Sequence, residues 1–420
     1  MIYPANFEEK IGFDRIREQV TALCSTPSAK AKLAEEGFST SADEIERRLS
    51  LMNEMRSLLM LERDFPDGDY PDPAPLVAKI RVEGSYLLAA EADQLRKALV
   101  TVGAIAEFIL GRGGARYPRL WELSRRVTLF PEIVRAIDVI LDDRGEVKDS
   151  ASPELQQVRR AIREREGQAA KRLQQVLQRA KQAGIVDADA VLSVRDGRPV
   201  IPVAAANKRK LQGFIHDESA TGRTFYVEPV EVVEINNELK ELEYAERREV
   251  VKVLSAFTES IRPDAEAIAD AGDYLSSVDM IRAKARWALA NDAGKPILST
   301  DDRLELRTAR HPLLQQTLRA QGREVVPLDL ALDRRKHILV ISGPNAGGKS
   351  VCLKTTGLMQ YLFQCGYPVP ASEVSELPVF RSIFIDIGDE QSIDDDLTSA
   401  VFQRGAYFYQ RRIFRRVSIT

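Results

Sequence analysis

Ile338-Leu-Val-Ile-Ser-Gly-Pro-Asn-Ala-Gly-Gly-Lys-Ser350 is a short apolar run that passes into a glycine-rich loop ending in Lys-Ser. From Gly343 to Ser350 the spacing is G-x-x-x-x-G-K-[ST], with a strand-like stretch before it and a helical pattern after it. Glycines let the backbone curl until its N–H groups point inward, where phosphate oxygens can accept from them. The N-terminus of the following helix adds its dipole. Gly343, Pro344, Asn345, Ala346, Gly347, Gly348, Lys349 and Ser350 are therefore the candidate phosphate site. Lys349 is placed to reach the β- and γ-phosphates and is the candidate catalytic residue, and the Ser350 hydroxyl is the candidate Mg²⁺ ligand. The expected ligand is a nucleoside triphosphate, ATP first, with Mg²⁺.

Outward from this loop, a helix is expected from Lys349 to about Gln364, with Gly366 as its C-terminal glycine. Leu304–Ala309, Val325–Leu332, Ile338–Ser342 and Ser382–Asp386 read as strands. Hydrolysis needs a carboxylate near the metal. Asp386, with Asp389 and Glu390 after it, ends the one strand that could supply it; it reads equally as the end of an ordinary strand.

Farther back the pattern is helical. Ser152-Pro-Glu154 is a helix start, with a capping hydroxyl, a proline for the first position and an acid for the dipole. Leu155, Val158, Ile162, Ala169, Leu173, Val176 and Ala180 follow at a period near 3.5, and Gly184 closes the run. Val232, Ile235, Leu239, Leu242, Val250, Val253 and Phe257 repeat the pattern. Between the two, Val191–Val203 reads as two strands around Asp196-Gly197, and Leu211–Ile215 and Thr224–Val227 as two more. The simplest geometry is an antiparallel helical arm with a β tip. That tip carries Arg195, Arg198, Lys208, Arg209, Lys210 and Arg223. These suit phosphate contacts that ignore base sequence. Asp196, Asp217 and Glu218 interleave with them, so a solvated surface is the competing reading.

The chain has 420 residues, which suggests two to four domains at roughly 100–200 residues each. Lys+Arg 60 against Asp+Glu 63 excludes a globally basic nucleic-acid binder but not a local basic patch. No stretch nears the roughly 18 apolar residues of a membrane span, and no signal peptide opens the chain. Three cysteines and three histidines, none at metal-ligand spacing, fit a reducing cytoplasm. His216 reads as a surface or turn histidine and His311 as structural.

The loop, with Leu353-Lys-Thr-Thr-Gly-Leu after it, resembles the MutS class of ABC-type ATPases. Phe384-Ile-Asp-Ile-Gly-Asp-Glu-Gln-Ser-Ile, Ala309-Arg-His-Pro-Leu, Lys208-Arg-Lys-Leu-Gln-Gly-Phe-Ile-His-Asp-Glu-Ser-Ala-Thr-Gly-Arg-Thr, Glu228-Pro and Asn236-Asn-Glu-Leu are similar to the second bacterial MutS paralogue, MutS-two. The resemblance implies an α+β multidomain chain. Residues 1–150 would be a helical core, 151–189 and 230–290 lever helices, and 190–229 a β-rich clamp. Residues 296–420 would be an incomplete α/β P-loop ATPase domain. It further implies ATP hydrolysis, a homodimer formed through the ATPase domain, and DNA (branched or duplex) as partner, with recombination restrained. Ribosomal RNA of stalled ribosomes is another implied partner, and full-length members add a nuclease domain.

After Leu397 the resemblance ends. A Ser-Thr-Phe signature and an apolar strand ending Asp-Glu are expected there; Thr-Ser-Ala-Val-Phe-Gln-Arg-Gly and five arginines stand instead. This reads as a copy truncated or frame-shifted within the ATPase domain, or as a basic, aromatic nucleic-acid tail. A chain so built is expected to bind nucleotide weakly and to hydrolyse none. The competing function is a non-catalytic helical scaffold that binds nucleic acid and keeps a vestigial phosphate loop.

Overall fold

In a computed structural model the described residues are 1–195, 197–342, 348–386 and 399–403. The first part is helical apart from one short strand: β1 (Ile2–Tyr3), α1 (Phe7–Ile11), α2 (Phe13–Ala22), α3 (Pro27–Glu35), α4 (Ala42–Leu61), α5 (Ala74–Ile80), α6 (Ala89–Gly111), α7 (Pro118–Ser124) and α8 (Pro131–Ile140). There follow α9 (Pro153–Gln182), β2 (Ser193–Arg195), β3 (Arg198–Ala204), β4 (Gly213–Glu218), β5 (Thr224–Pro229), α10 (Val230–Ile261) and α11 (Ala265–Ala290). The last described part holds β6 (Ile297–Leu298), β7 (Leu304–Ala309), α12 (Pro312–Ala320), β8 (Leu328–Leu332), α13 (Lys349–Gln364), β9 (Glu376–Leu377), β10 (Ser382–Asp386) and β11 (Ser399–Gln403). The fold is thus mainly helical with three small sheets.

The chain divides into two compact units. The first comprises residues 1–74, 97–129 and 267–420. Its sheets run β1-β10-β11 and β6-β9-β7-β8. The chain's first strand lies parallel to β10, Ile2 against Ile383 and Tyr3 against Phe384. The amino terminus itself donates to the Arg381 carbonyl at 2.7 Å. Around α13 the core is aromatic: Phe7, Phe13 and Phe38 all meet Tyr361, with ring centroids 4.9–5.6 Å apart. Such pairs add to area burial when tilted or offset. Buried charge is handled by pairing. Lys284, 2% exposed, meets Glu36 and lies 4.5 Å over the Tyr367 ring.

The second unit comprises residues 75–96 and 130–266. Ser152 accepts from the Leu155 N–H at 3.0 Å, Pro153 occupies the first turn, and α9 then runs 30 residues, about 45 Å at 1.5 Å per residue. α10 packs antiparallel to it. Arg159 pairs with Glu246, Arg165 with Glu238 and Arg179 with Glu231, so residue numbers fall on one helix as they rise on the other. At one end Leu173, Val176, Leu177 and Ala180 bury against Ile201, Val203 and Val227 of the sheet and Val232 of α10. The sheet order is β2-β3-β5-β4, all antiparallel.

One expected element is not formed. Ile338–Ser342 belongs to no strand, and Ile338 and Val340 are 75% and 73% exposed. The reason is pairing. A strand holds its shape through N–H and C=O bonds to neighbours, and among the described residues no strand runs beside this stretch. An apolar run was legible; its partners were not.

Candidate functional site

Two places carry chemistry. The first is the start of α13. Gly343–Gly347 lie outside the described residues, as do Asp389 and Glu390, so the geometry begins at Gly348. Gly348 caps α13 in the left-handed region, φ +85°, where an L side chain is strained. Lys349 and Ser350 are the first two helical residues, so their backbone N–H groups belong to the helix's positive end. Asp386 is exposed at the end of β10.

What fixes α13 is its buried far half, Thr355–Gln364. Gly357 leaves room for close approach: a Cβ there would stand 2.7 Å from Ile385 Cδ1. Gln360 donates to the Pro378 carbonyl and to Gln364 Oε1, both at 2.8 Å. Gln364 donates to the carbonyls of Ser39 and Phe380 and accepts from the Phe380 N–H. Both glutamines are fully buried, so this amide ladder ties the helix to the segment entering β10. Glu8 takes the Tyr361 hydroxyl and Arg17 at 2.6 Å each. The ladder was not read in the sequence, because its partners Ser39, Pro378 and Phe380 all lie outside the helix.

His311 precedes Pro312 at the start of α12 and packs near Gly12. Burial, then the charges of Lys354 and Arg15, push its pKa down to about 4 against a hydrogen bond to Ile11. The unfolded imidazole takes a proton near pH 6.5, the folded one only near 4, so between these the unfolded state binds more protons. This stabilising contribution is complete above pH 6.5 and lost as pH falls to 4; at 1.36 kcal/mol per unit it is on the order of 3 kcal/mol. Urea unfolding at pH 7 and pH 4.5 should show the loss, and His311→Gln should flatten it. An unchanged slope in the variant contradicts the assignment.

The second place is the sheet of the second unit. Its six candidate cations do not form one patch. Arg198 is half-buried and gives Nη1 to both oxygens of Glu228, at 3.0 and 2.9 Å, and Nη2 to Asn237. Glu228 is 1% exposed and also receives Asn236 at 2.6 Å and His216 at 2.5 Å. Burial raises its pKa, but the hydrogen bonds from Asn236, His216 and Arg198 outweigh this and hold it below the ordinary carboxylate value. His216, expected at a surface or turn, is therefore part of a carboxylate network at the root of α10. Arg195 pairs with Asp217 at 2.9 Å and lies 3.9 Å over the Tyr226 ring.

The other four cations sit at the opposite end of β3, six residues or about 20 Å away at strand spacing. Lys208 lies 4.4 Å over the Phe225 ring. The Ala205 N–H donates to the Arg223 carbonyl, which brings the Lys208–Lys210 turn beside the turn carrying Arg223. Arg209, Lys210 and Arg223 are exposed and in no ion pair among the described residues. Spacing alone could not separate the tied arginines from the open ones, because Glu228 is thirty residues from Arg198.

No protein-family model matches the chain. Curated proteins do. "Endonuclease MutS2" of Bacillus velezensis is 34% identical over 389 residues, 92% of this chain and 48% of the relative. "Endonuclease MutS2" of Thermomicrobium roseum is 35% identical over 400 residues, 92% and 49% respectively. The chain is a MutS2 homologue. "Putative endonuclease MutS2" of Bacillus subtilis, 33% identical over 389 residues, agrees. The chain spans about half the length of the MutS2 relatives it matches. Since 92% of the chain is matched, the MutS2 relationship takes in most of both units. No helix among the described residues is long and apolar enough to cross a membrane, and no cluster of three His, Cys, Asp or Glu among them suits a metal.

Proposed function

We propose that this MutS2 homologue is an ATP-binding, nucleic-acid-holding protein. ATP with Mg²⁺ sits on Gly343–Ser350, and DNA meets the open end of the small sheet. The observation that carries the reading is the junction at α13: a left-handed Gly348 followed at once by Lys349 and Ser350 in the first helical turn, inside a G-x-x-x-x-G-K-S sequence. A helix start of this kind presents N–H groups, a lysine and a hydroxyl together, which is the set a triphosphate with its metal requires. Lys349 steadies the β- and γ-phosphates and Ser350 holds the metal. The domain reading is proposed with it: 1–150 as a helical core, 151–189 and 230–290 as levers, 190–229 as a clamp, and 296–420 as ATPase, dimerising with a second copy. ATP hydrolysis and the endonuclease activity named in the relatives belong to this proposal for a protein of the relatives' length.

The nucleic-acid half rests on Arg209, Lys210 and Arg223, exposed and close together, with Lys208 beside them. Arg198, and largely Arg195, serve the protein itself. Replacing Arg209, Lys210 and Arg223 together with alanine is expected to weaken binding of branched and duplex DNA. The slope of log affinity against log salt should fall by about 2–3, one phosphate contact per cation. Arg198→Ala should instead lower stability and leave that slope nearly unchanged. If the triple variant binds DNA with the parent's salt slope, the clamp reading fails. Stronger binding to ribosomal RNA than to DNA at equal salt would move the partner to the ribosome.

A further inference from the structure

A cavity of about 200 Å³ opens in the first unit, where the end of α11, the end of β7, the first turns of α12 and the segment after α13 converge. It is polar, and its polar groups are unevenly satisfied. Asn291 is complete: it donates to the Trp287 carbonyl and accepts from Gln316, both at 2.9 Å. Asp292 is neutralised by Arg319 at 2.7 Å. Gln315 differs. It is 6% exposed, and its Oε1 has no hydrogen-bond partner among the described residues. A buried amide oxygen left unpaired costs about 1–3 kcal/mol, so it is normally answered by something. Arg310 differs too. Its backbone N–H is fixed on the Pro370 carbonyl at 2.9 Å, and its half-buried guanidinium is in no ion pair or hydrogen bond among the described residues.

The backbone around the cavity is also strained. Asp292 at φ 51° and Thr308 at φ 49° both line it, and they are two of the three non-glycine residues described in the left-handed region. Thr308 takes that conformation within the β-bulge between Leu306 and Ala309, where its N–H donates to Asp329 at 2.8 Å.

The unsatisfied groups define their ligand. Arg310 requires an anionic acceptor, and Gln315 Oε1 requires a donor. The lining carries one carboxylate and one guanidinium; Asp292 is already paired with Arg319, which stands outside the lining, so Arg310 is the charge left to be answered. A small oxyanion that keeps a hydroxyl meets both demands, and a tetrahedral phosphate with a few waters fits the volume at about 30 Å³ per water. We propose that this cavity is a second phosphate site, taking a protonated phosphate group either free or as a terminal monoester. It is separate from the loop at Lys349. None of the residues Gly343–Ser350 is among its lining.

The test uses inorganic phosphate as probe on the Lys349→Ala chain, in which the loop's share of binding is strongly reduced. Phosphorus NMR line broadening is followed against protein concentration. Saturable broadening is expected in the Lys349→Ala chain. It should weaken roughly tenfold or more on adding Arg310→Met or, separately, Gln315→Met, with melting temperatures unchanged. Acetate, which is anionic but carries no donor, should not compete. AMP competing better than phosphate would assign the site to monoesters; phosphate competing better would assign it to the free ion. The proposal is overturned if the Lys349→Ala chain shows no saturable binding, if Arg310→Met or Gln315→Met binds as well as its parent, or if acetate displaces phosphate.

Discussion

Asp279→Ala is expected to destabilise the first unit by about 3–5 kcal/mol, the usual cost of leaving one half of a buried ion pair behind. Asp279 and Arg282 lie one turn apart on α11 and both are 0% exposed. Asp279 Oδ1 takes Arg282 Nη2 at 2.8 Å, and Oδ2 takes the N–H and hydroxyl of Thr26 at 2.8 and 3.1 Å. Arg282 reaches further, to the Gly68 carbonyl at 2.7 Å, Ser25 at 2.8 Å and Asp67 at 3.2 Å, and its guanidinium carbon stands 3.7 Å over the Tyr70 ring. The pair thus ties α11 to the segment before α3 and to the loop after α4. Removing the carboxylate leaves the buried guanidinium with only the half-exposed Asp67 as counter-charge. Removing both charges, as Asp279→Leu with Arg282→Met, should cost far less, because the desolvation of the pair disappears with it. Urea unfolding checks both. A loss under 1 kcal/mol in Asp279→Ala would mean that water reaches Arg282.

Lys349→Ala is expected to have the largest functional effect. A lysine that gives charge-assisted hydrogen bonds to two phosphates contributes about 1.5–3 kcal/mol at each, so affinity for ATP should fall roughly 100-fold or more. The fold should not change. The ties that hold α13 begin at Thr355 and lie toward its other end, in the Gln360–Gln364 ladder and the aromatic cluster on Tyr361.

Much of the architecture was readable because it is local. Ser152-Pro153 announced α9 through capping, the 3.5-residue seams announced α9 and α10, and Gly348-Lys349-Ser350 announced the start of α13. The four short strands between α9 and α10 were marked by turns and alternation. What could not be read depends on partners far away in the chain. β1 is two residues long and finds β10 some 380 positions later. Ile338–Ser342 has a strand's composition but no described neighbour to pair with. Arg198 and Arg223 look alike in sequence; one is spent on Glu228 and the other faces solvent. Charge patterning gives the residue type and the neighbourhood, and only the packed sheet decides which cations remain available.

The most direct test of the account is equilibrium binding of ATP with Mg²⁺ by the 420-residue chain beside its Lys349→Ala variant, with unfolding curves to show that both are folded. The account predicts saturable binding by the parent and loss of roughly 100-fold or more in the variant at equal stability. Folded parent protein that does not bind ATP, or a variant that binds as the parent does, would contradict it and leave a helical nucleic-acid-binding scaffold with a vestigial loop.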